Sequence, residues 1–317
     1  KRIGMSMTSS QSSIATGRAE KEDGLDLPGL LVTTAWLHDN LAHPTLRLLD
    51  VRALEHFSEG HLPHAVHVDF GGLSTTVAGV PGILLPPAPF AEKMTAVGVQ
   101  PATTVVVYDD NWGMAAARVL WALHRYGFTQ TALLTGGWDQ WQAEGRPIVA
   151  TTEDNPSSVT PDGAPGGFTP QATESVLAER AWLLANLDNP DVVIVDTRGQ
   201  QEFADGHVPG AVHWDWMNAV PVDGWEALRP APELLAELAG VGITPDKEIV
   251  TYCRSGVRAA HTYWALRQLG YPRVRNYDGS WLEWQSVAGL PIEKNDGKDD
   301  RKDNEKAGNR KESEETV

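Results

Sequence analysis

The sequence predicts an α/β fold built from two copies of one domain, each a largely parallel sheet with helices on both faces. Three observations carry this reading. The length of 317 residues suits two ordinary domains better than one. The segment LLDVRALEHFSEGHLPHAVHVDF (48–70) aligns without a gap on IVDTRGQQEFADGHVPGAVHWDW (194–216). Short apolar runs alternate with helical stretches, the pattern of a parallel sheet with crossover helices.

The correspondence continues along the chain. TVVVYDD (104–110) matches EIVTYCR (248–254), LTGGWDQW (134–141) matches YDGSWLEW (277–284), and each half closes on Gly-x-Pro-Ile, at 145–148 and 289–292. So long a period marks a duplicated domain, not a solenoid. In the second copy, Val192–Asp196, Glu248–Tyr252 and Val274–Tyr277 read as strands. Gln200–Asp205, Pro232–Leu238 and Trp281–Ser286 read as helices, as does Val257–Leu269, which Gly270 and Pro272 stop. In the first copy Thr103–Tyr108 is a short apolar run of strand length. Residues 151–170, with several Pro and Gly and no period, are the expected linker between domains at 25–150 and 171–293.

The ends carry little apolar surface. Residues 1–24 read as a disordered leader, with Lys1, Arg2 and Arg18 in a Ser/Thr-rich stretch. The expected location is the cytoplasm, with a mitochondrial transit segment as the alternative. Residues 294–317 hold seven basic and eight acidic side chains and no aromatic, so they read as a disordered charged tail.

Composition narrows the function. Forty-two acidic residues against 26 basic give a net charge of −16. Such a surface repels phosphate backbones and anionic lipid, so neither nucleic acid nor membrane is an expected partner. No apolar run approaches the roughly 18–20 residues of a membrane span. There is one cysteine, Cys253, which cannot close an intrachain disulfide or build a multi-cysteine zinc site. His61, His64 and His67 are close in sequence, but Pro63 makes their stretch extended, and no metal or other cofactor is expected.

Cys253 follows a strand, IVTY, and opens the loop CRSGVR, after which a helix begins. Ligands of open α/β sheets bind beyond the carboxyl ends of the strands. The unsatisfied N–H groups of a helix N-terminus favour an anion there, and so the thiolate. Gly256 permits a tight curl, and Arg254 and Arg258 add positive charge. In the first copy Asp109 stands where Cys253 stands, so that copy has no thiol in its loop.

The two D-x-R…F…GH-x-P-x-A-x-H segments, the CRSGVR loop and NYDGSW (276–281) together resemble the tandem-domain sulfurtransferases of the rhodanese family, over roughly residues 25–292. The resemblance implies two rhodanese-like domains, the first non-catalytic and walling one side of a cleft. It implies that Cys253 is the nucleophile that becomes a persulfide, cradled by the loop amides of Arg254, Ser255, Gly256, Val257 and Arg258. Arg198 matches a substrate-binding arginine, although Arg52 holds the same place in the copy without a nucleophile and leaves a structural role open. Trp36 and His61 match cleft-lining positions, with a core tryptophan and a structural histidine as the alternatives.

The loop mixes two types within the family. Arg254 matches members that use thiosulfate, and Ser255 matches members that use 3-mercaptopyruvate. Three arginines, at 198, 254 and 258, favour a compact dianion, so thiosulfate is the expected donor and 3-mercaptopyruvate the alternative. The expected acceptor is cyanide or a thiol, with a thioredoxin-like reductant as a further partner, and the expected state is a monomer. A phosphatase reading is disfavoured: four residues separate Cys253 from Arg258, one fewer than the phosphatase loop holds. The remaining rival is a non-enzymatic sulfur carrier or sensor with the same loop.

Overall fold

The computed structural model describes residues 24–150 and 167–295. The expected leader up to residue 23, the linker from 151 to 166 and the tail from 296 lie outside the described residues. The first copy runs β1 (Leu31–Val32), α1 (Thr34–Asn40), β2 (Leu46–Asp50), α2 (Leu54–Glu59), β3 (Ala65–His67), β4 (Ser74–Val77), β5 (Val80–Leu84), α3 (Pro87–Ala96), β6 (Thr104–Tyr108), α4 (Met114–Arg125), β7 (Thr131–Leu134) and α5 (Gly137–Ala143). The second runs β8 (Leu177–Ala178), α6 (Arg180–Ala185), β9 (Val192–Asp196), α7 (Gln200–Asp205), β10 (Val212–His213), α8 (Ala231–Gly240), β11 (Glu248–Tyr252), α9 (Val257–Gln268), β12 (Val274–Tyr277) and α10 (Ser280–Ser286).

Each copy forms a five-stranded parallel sheet, in the orders β1-β7-β6-β2-β3 and β8-β12-β11-β9-β10. The two orders are the same path through space, as a duplication requires. The expected strands of the second copy form over the expected residues. Helix α9 stops at Gln268, one residue before the expected end, and Gly270 takes the left-handed conformation that ends the turn.

Alternation along the strands divides the core into three. Leu49, Val105, Val107 and Leu133 face inward, as do Val195 and Ile249 of the second sheet. They share one cluster with α4 and α9, which lie between the copies and are buried along most of their length. Leu48, Val106, Tyr108 and Ala132 face the outer side of the first sheet. Ile194, Val250 and Tyr252 face the outer side of the second. A period of two thus sets which residues meet the partner domain and which meet the outer helices.

One element breaks the duplication. Strands β4 and β5 form an antiparallel hairpin, turned by Ala78 and Gly79, both with positive φ. Both copies have a 3₁₀ turn just before this place, Gly71–Leu73 and Trp216–Ala219, and the second copy continues from it in irregular chain.

Candidate active site

The loop after β11 lies where an open α/β sheet presents ligands. Cys253 is buried, Gly256 caps α9 with φ +79°, and Arg254 is exposed. A methyl on Gly256 would meet the Asp278 carbonyl oxygen at 2.9 Å, so the bend needs glycine for both space and conformation. The turn from Asp278 to Leu282 holds the start of the loop. The Cys253 N–H donates to Ser280 Oγ at 3.2 Å, and the N–H groups of Trp281 and Leu282 donate to the carbonyls of Cys253 and Arg254. The N–H groups of Ser255 to Ala259 donate to no protein acceptor among the described residues. They are the free donors of a helix N-terminus, directly after the cysteine in the chain.

The first copy shows what such a loop holds. Asp109, fully buried, turns its carboxylate into its own loop. Oδ1 accepts the N–H groups of Asn111 and Gly113 at 3.0 and 2.8 Å, and Oδ2 accepts those of Ala115 and Ala116 at 2.9 and 3.0 Å. Burial pushes the carboxyl pKa up, and the four N–H bonds pull against it. The curl is therefore an anion cradle, filled in this copy by the chain's own carboxylate. The copies also differ in length: three residues separate Asp109 from the capping Gly113, and two separate Cys253 from Gly256.

In this structure Arg198, the expected substrate-binding arginine, makes its side-chain hydrogen bonds away from the cradle. Its side chain is 3% exposed and folds back on Asp196. Nε and Nη2 donate to the carboxylate, Nη2 also donates to the Gly206 carbonyl, and Trp281 covers the guanidinium at 4.6 Å. Tyr252 Oη donates to the same carboxylate at 2.6 Å. Arg52 repeats this arrangement with Asp50, Gly60 and Tyr108, with Trp138 at 4.0 Å. The Asp-x-Arg pair is a buried staple in both copies.

The contacts of His61 and Trp36 match the structural alternatives. His61 stacks on Phe57 at 3.9 Å, and its Nδ1 bonds the Phe57 carbonyl. His207 does the same with Phe203. Trp36 packs against the outer cluster of the first sheet, on the face away from α4 and α9. His61, in an isolated bridge to Val149 after α2, and Trp36, on α1, thus make packing contacts on the outer side of the first sheet.

The cations at the cradle are fewer than the sequence suggests. Arg258 pairs with Glu202, Nη1 to Oε2 at 2.7 Å and Nη2 to Oε1 at 3.0 Å. The Glu202 bonds hold the Arg258 pKa above its usual value against the opposing effect of burial, and the charge of Cys253 adds to the rise. The Arg258 bonds hold the Glu202 carboxyl below the usual range. Arg254 makes no side-chain ion pair among the described residues, which leaves it the unpaired cation of the loop. Glu202, Ser280 and Asp278 escaped the sequence reading. Asp278 and Ser280 sit inside the NYDGSW segment, so that motif was the available signal.

The first copy closes over the loop. The hairpin backbone at Gly82 is so close that a methyl there would lie 3.3 Å from Ser255 Cβ. Gly82, Leu84, Arg118 and Val257 border a cavity of about 50 Å³ beside the loop. Asp278 Oδ2 accepts the Leu84 N–H at 2.9 Å, and Asp278 Oδ1 pairs with Arg118 of α4.

A family model described as rhodanese-like domain matches twice, over residues 33–144 and 179–287. The chain belongs to the rhodanese family. It is 35% identical over 280 residues to thiosulfate sulfurtransferase of Azotobacter vinelandii, covering 86% of this chain and 99% of that protein. It is 34% identical over 289 residues to the sulfur carrier protein TtuD of Thermus thermophilus, covering 84% and 97%. Among solved structures, SseA of Escherichia coli, described among the 3-mercaptopyruvate sulfotransferases, superposes with a TM-score of 0.70 at 28% identity, over 80% of this chain and 98% of that one. These matches span both copies, so the rhodanese-like character expected from the repeat holds for the whole described body.

Proposed function

We propose that this rhodanese-family chain is a sulfurtransferase that moves the outer sulfur of thiosulfate to a thiophilic acceptor through a persulfide on Cys253. The observation that carries the reading is the paired loops: one cradle is filled by the Asp109 carboxylate, and its counterpart has Cys253 in that place and N–H groups without protein acceptors among the described residues. The Cys253 thiolate attacks the outer sulfur of thiosulfate. The S–S bond of the donor breaks, its electron pair leaves with sulfite, and the terminal sulfur of the new persulfide carries the negative charge. Backbone N–H dipoles stabilise that charge without reorganising. Cyanide or a thiolate then attacks the terminal sulfur, the persulfide S–S bond breaks, and the thiolate returns. This is covalent catalysis by double displacement.

With Arg198 and Arg258 committed to carboxylates, Arg254 is the cation available to the departing sulfite. The relatives named thiosulfate sulfurtransferase support this donor. The second reading is 3-mercaptopyruvate as donor, which Ser255 and the likeness to SseA favour. The acceptor, a thioredoxin-like reductant and a monomeric working state belong to the proposal. The test is steady-state transfer to cyanide from each donor, with wild type and Cys253→Ser. The expected result is thiocyanate from thiosulfate at the higher kcat/KM and no transfer by Cys253→Ser. A tenfold preference for 3-mercaptopyruvate would reverse the donor assignment, and full activity in Cys253→Ser would overturn the mechanism.

A further inference from the structure

Arg118 belongs to the copy without a nucleophile, yet it lies against the Cys253 loop. It is buried on α4, with Nη2 donating to Asp278 Oδ1 and to the Gly82 carbonyl. Its Nη1 is buried with no hydrogen-bond partner among the described residues. That nitrogen lies against the loop bend, 3.1 Å from where a Gly256 Cβ would stand. The equivalent place on α9, fifth in the helix as Arg118 is fifth in α4, is held by His261. Arg118 is thus not a copy of a structural residue used in both halves, as Arg52 and Arg198 are.

We propose that Arg118 is a positioning residue for Cys253: through Asp278 it fixes the turn that holds the cysteine backbone, and its guanidinium sets a permanent cation behind the Gly256 bend. The inference rests on Cys253 being the sulfur carrier. The connection runs through named contacts. Arg118 and the Leu84 N–H share the Asp278 carboxylate, one oxygen each. Two residues on, Ser280 Oγ accepts the Cys253 N–H, and the next two N–H groups take the carbonyls of Cys253 and Arg254. Removing the guanidinium would leave a buried carboxylate beside a loop that must hold an anion. A cation there favours both the thiolate and the persulfide by charge alone. The dead copy is in this way part of the live site.

The test separates charge from packing. Arg118→Lys and Arg118→Met are compared with wild type in the full chain, well below each variant's melting temperature. Two readouts are taken: the rate of Cys253 alkylation by iodoacetamide at neutral pH, and kcat and KM for thiosulfate. Arg118→Met should slow alkylation and lower kcat by about tenfold, with KM little changed, as expected for loss of one charge-assisted contact. Arg118→Lys loses the fork but keeps the charge, so it should melt lower than wild type and yet retain rates within about threefold. If Lys and Met lower the rates alike, or if Met alkylates at the wild-type rate, the proposal is wrong. Alkylation of the sulfur-free protein reports on the thiol whether or not sulfur transfer is its function. Failure of the sulfurtransferase reading would instead appear as wild-type turnover in Cys253→Ser.

Discussion

Arg198 and Arg258 each face a carboxylate, and burial makes their roles differ. The Arg198–Asp196 pair is almost fully enclosed; Tyr252 Oη also donates to Asp196, and the Gly206 carbonyl accepts from Arg198. Cutting one partner from such a pair leaves an uncompensated buried charge. Arg198→Met should therefore cost about 3–5 kcal/mol of stability, read by urea unfolding. Below its melting transition it should leave the KM for thiosulfate within about twofold of wild type, since the guanidinium is committed away from the loop. A large KM rise with unchanged stability would restore the substrate-binding role. Arg254 is the converse case, exposed and unpaired by any carboxylate among the described residues. Arg254→Gln should raise the KM for thiosulfate by roughly tenfold with little change in melting temperature, as expected for loss of a charge-assisted contact at the surface.

The unit of function at the next scale is the strand–loop–helix, and the two copies of it act as controls for each other. Asp109 satisfies four amides at the N-terminus of α4. Asp109→Ala leaves those donors without an acceptor and should destabilise the first copy by roughly 1–3 kcal/mol or more, measured by unfolding, while sulfur transfer by the folded fraction stays intact. Gly256→Ala meets a left-handed φ of +79° and the Asp278 carbonyl at 2.9 Å. It should cost at least about 1 kcal/mol of strain and lower kcat, because the same bend aims the loop amides. These loops were legible in the sequence because a strand of buried residues just before Cys253 or Asp109 is followed by a capping glycine and a helix. The Arg258–Glu202 and Arg118–Asp278 pairs were not legible. Their partners lie 56 and 160 residues apart and meet only once the sheets have folded and packed. Arg198 misled for a related reason: its nearest acceptor is two residues back along its own strand end, and sequence spacing does not say which way a side chain turns.

Across the whole molecule, the two copies meet on α4 and α9; α9 buries His261, and α4 half-buries His124 near its end. Burial, aided by the charge of Arg267, lowers the His124 pKa to about 4, and burial lowers that of His261 to about 4 against the Trp112 backbone. Both are neutral in the folded protein. The unfolded chain takes up protons near the ordinary histidine value of about 6.5, so this stability is complete above that pH and is lost as the pH falls from there toward 4. Melting temperature should drop between pH 7 and 5, and His261→Leu should flatten part of that slope. An unchanged slope in the variant would remove His261 from the account. The duplication, the sheet class and the reactive loop were all visible in the chain, because each is written in local pattern. The closure of the first copy over the second depends on the β4–β5 hairpin, whose Ala78-Gly79 turn has no counterpart in the second half to call attention to it. The most direct test of the central claim is the mass of Cys253 itself. After incubation with thiosulfate, the account predicts one added sulfur atom on the Cys253 peptide and none elsewhere, removed stoichiometrically by cyanide as thiocyanate. Continued turnover with no sulfur ever found on Cys253 would contradict it.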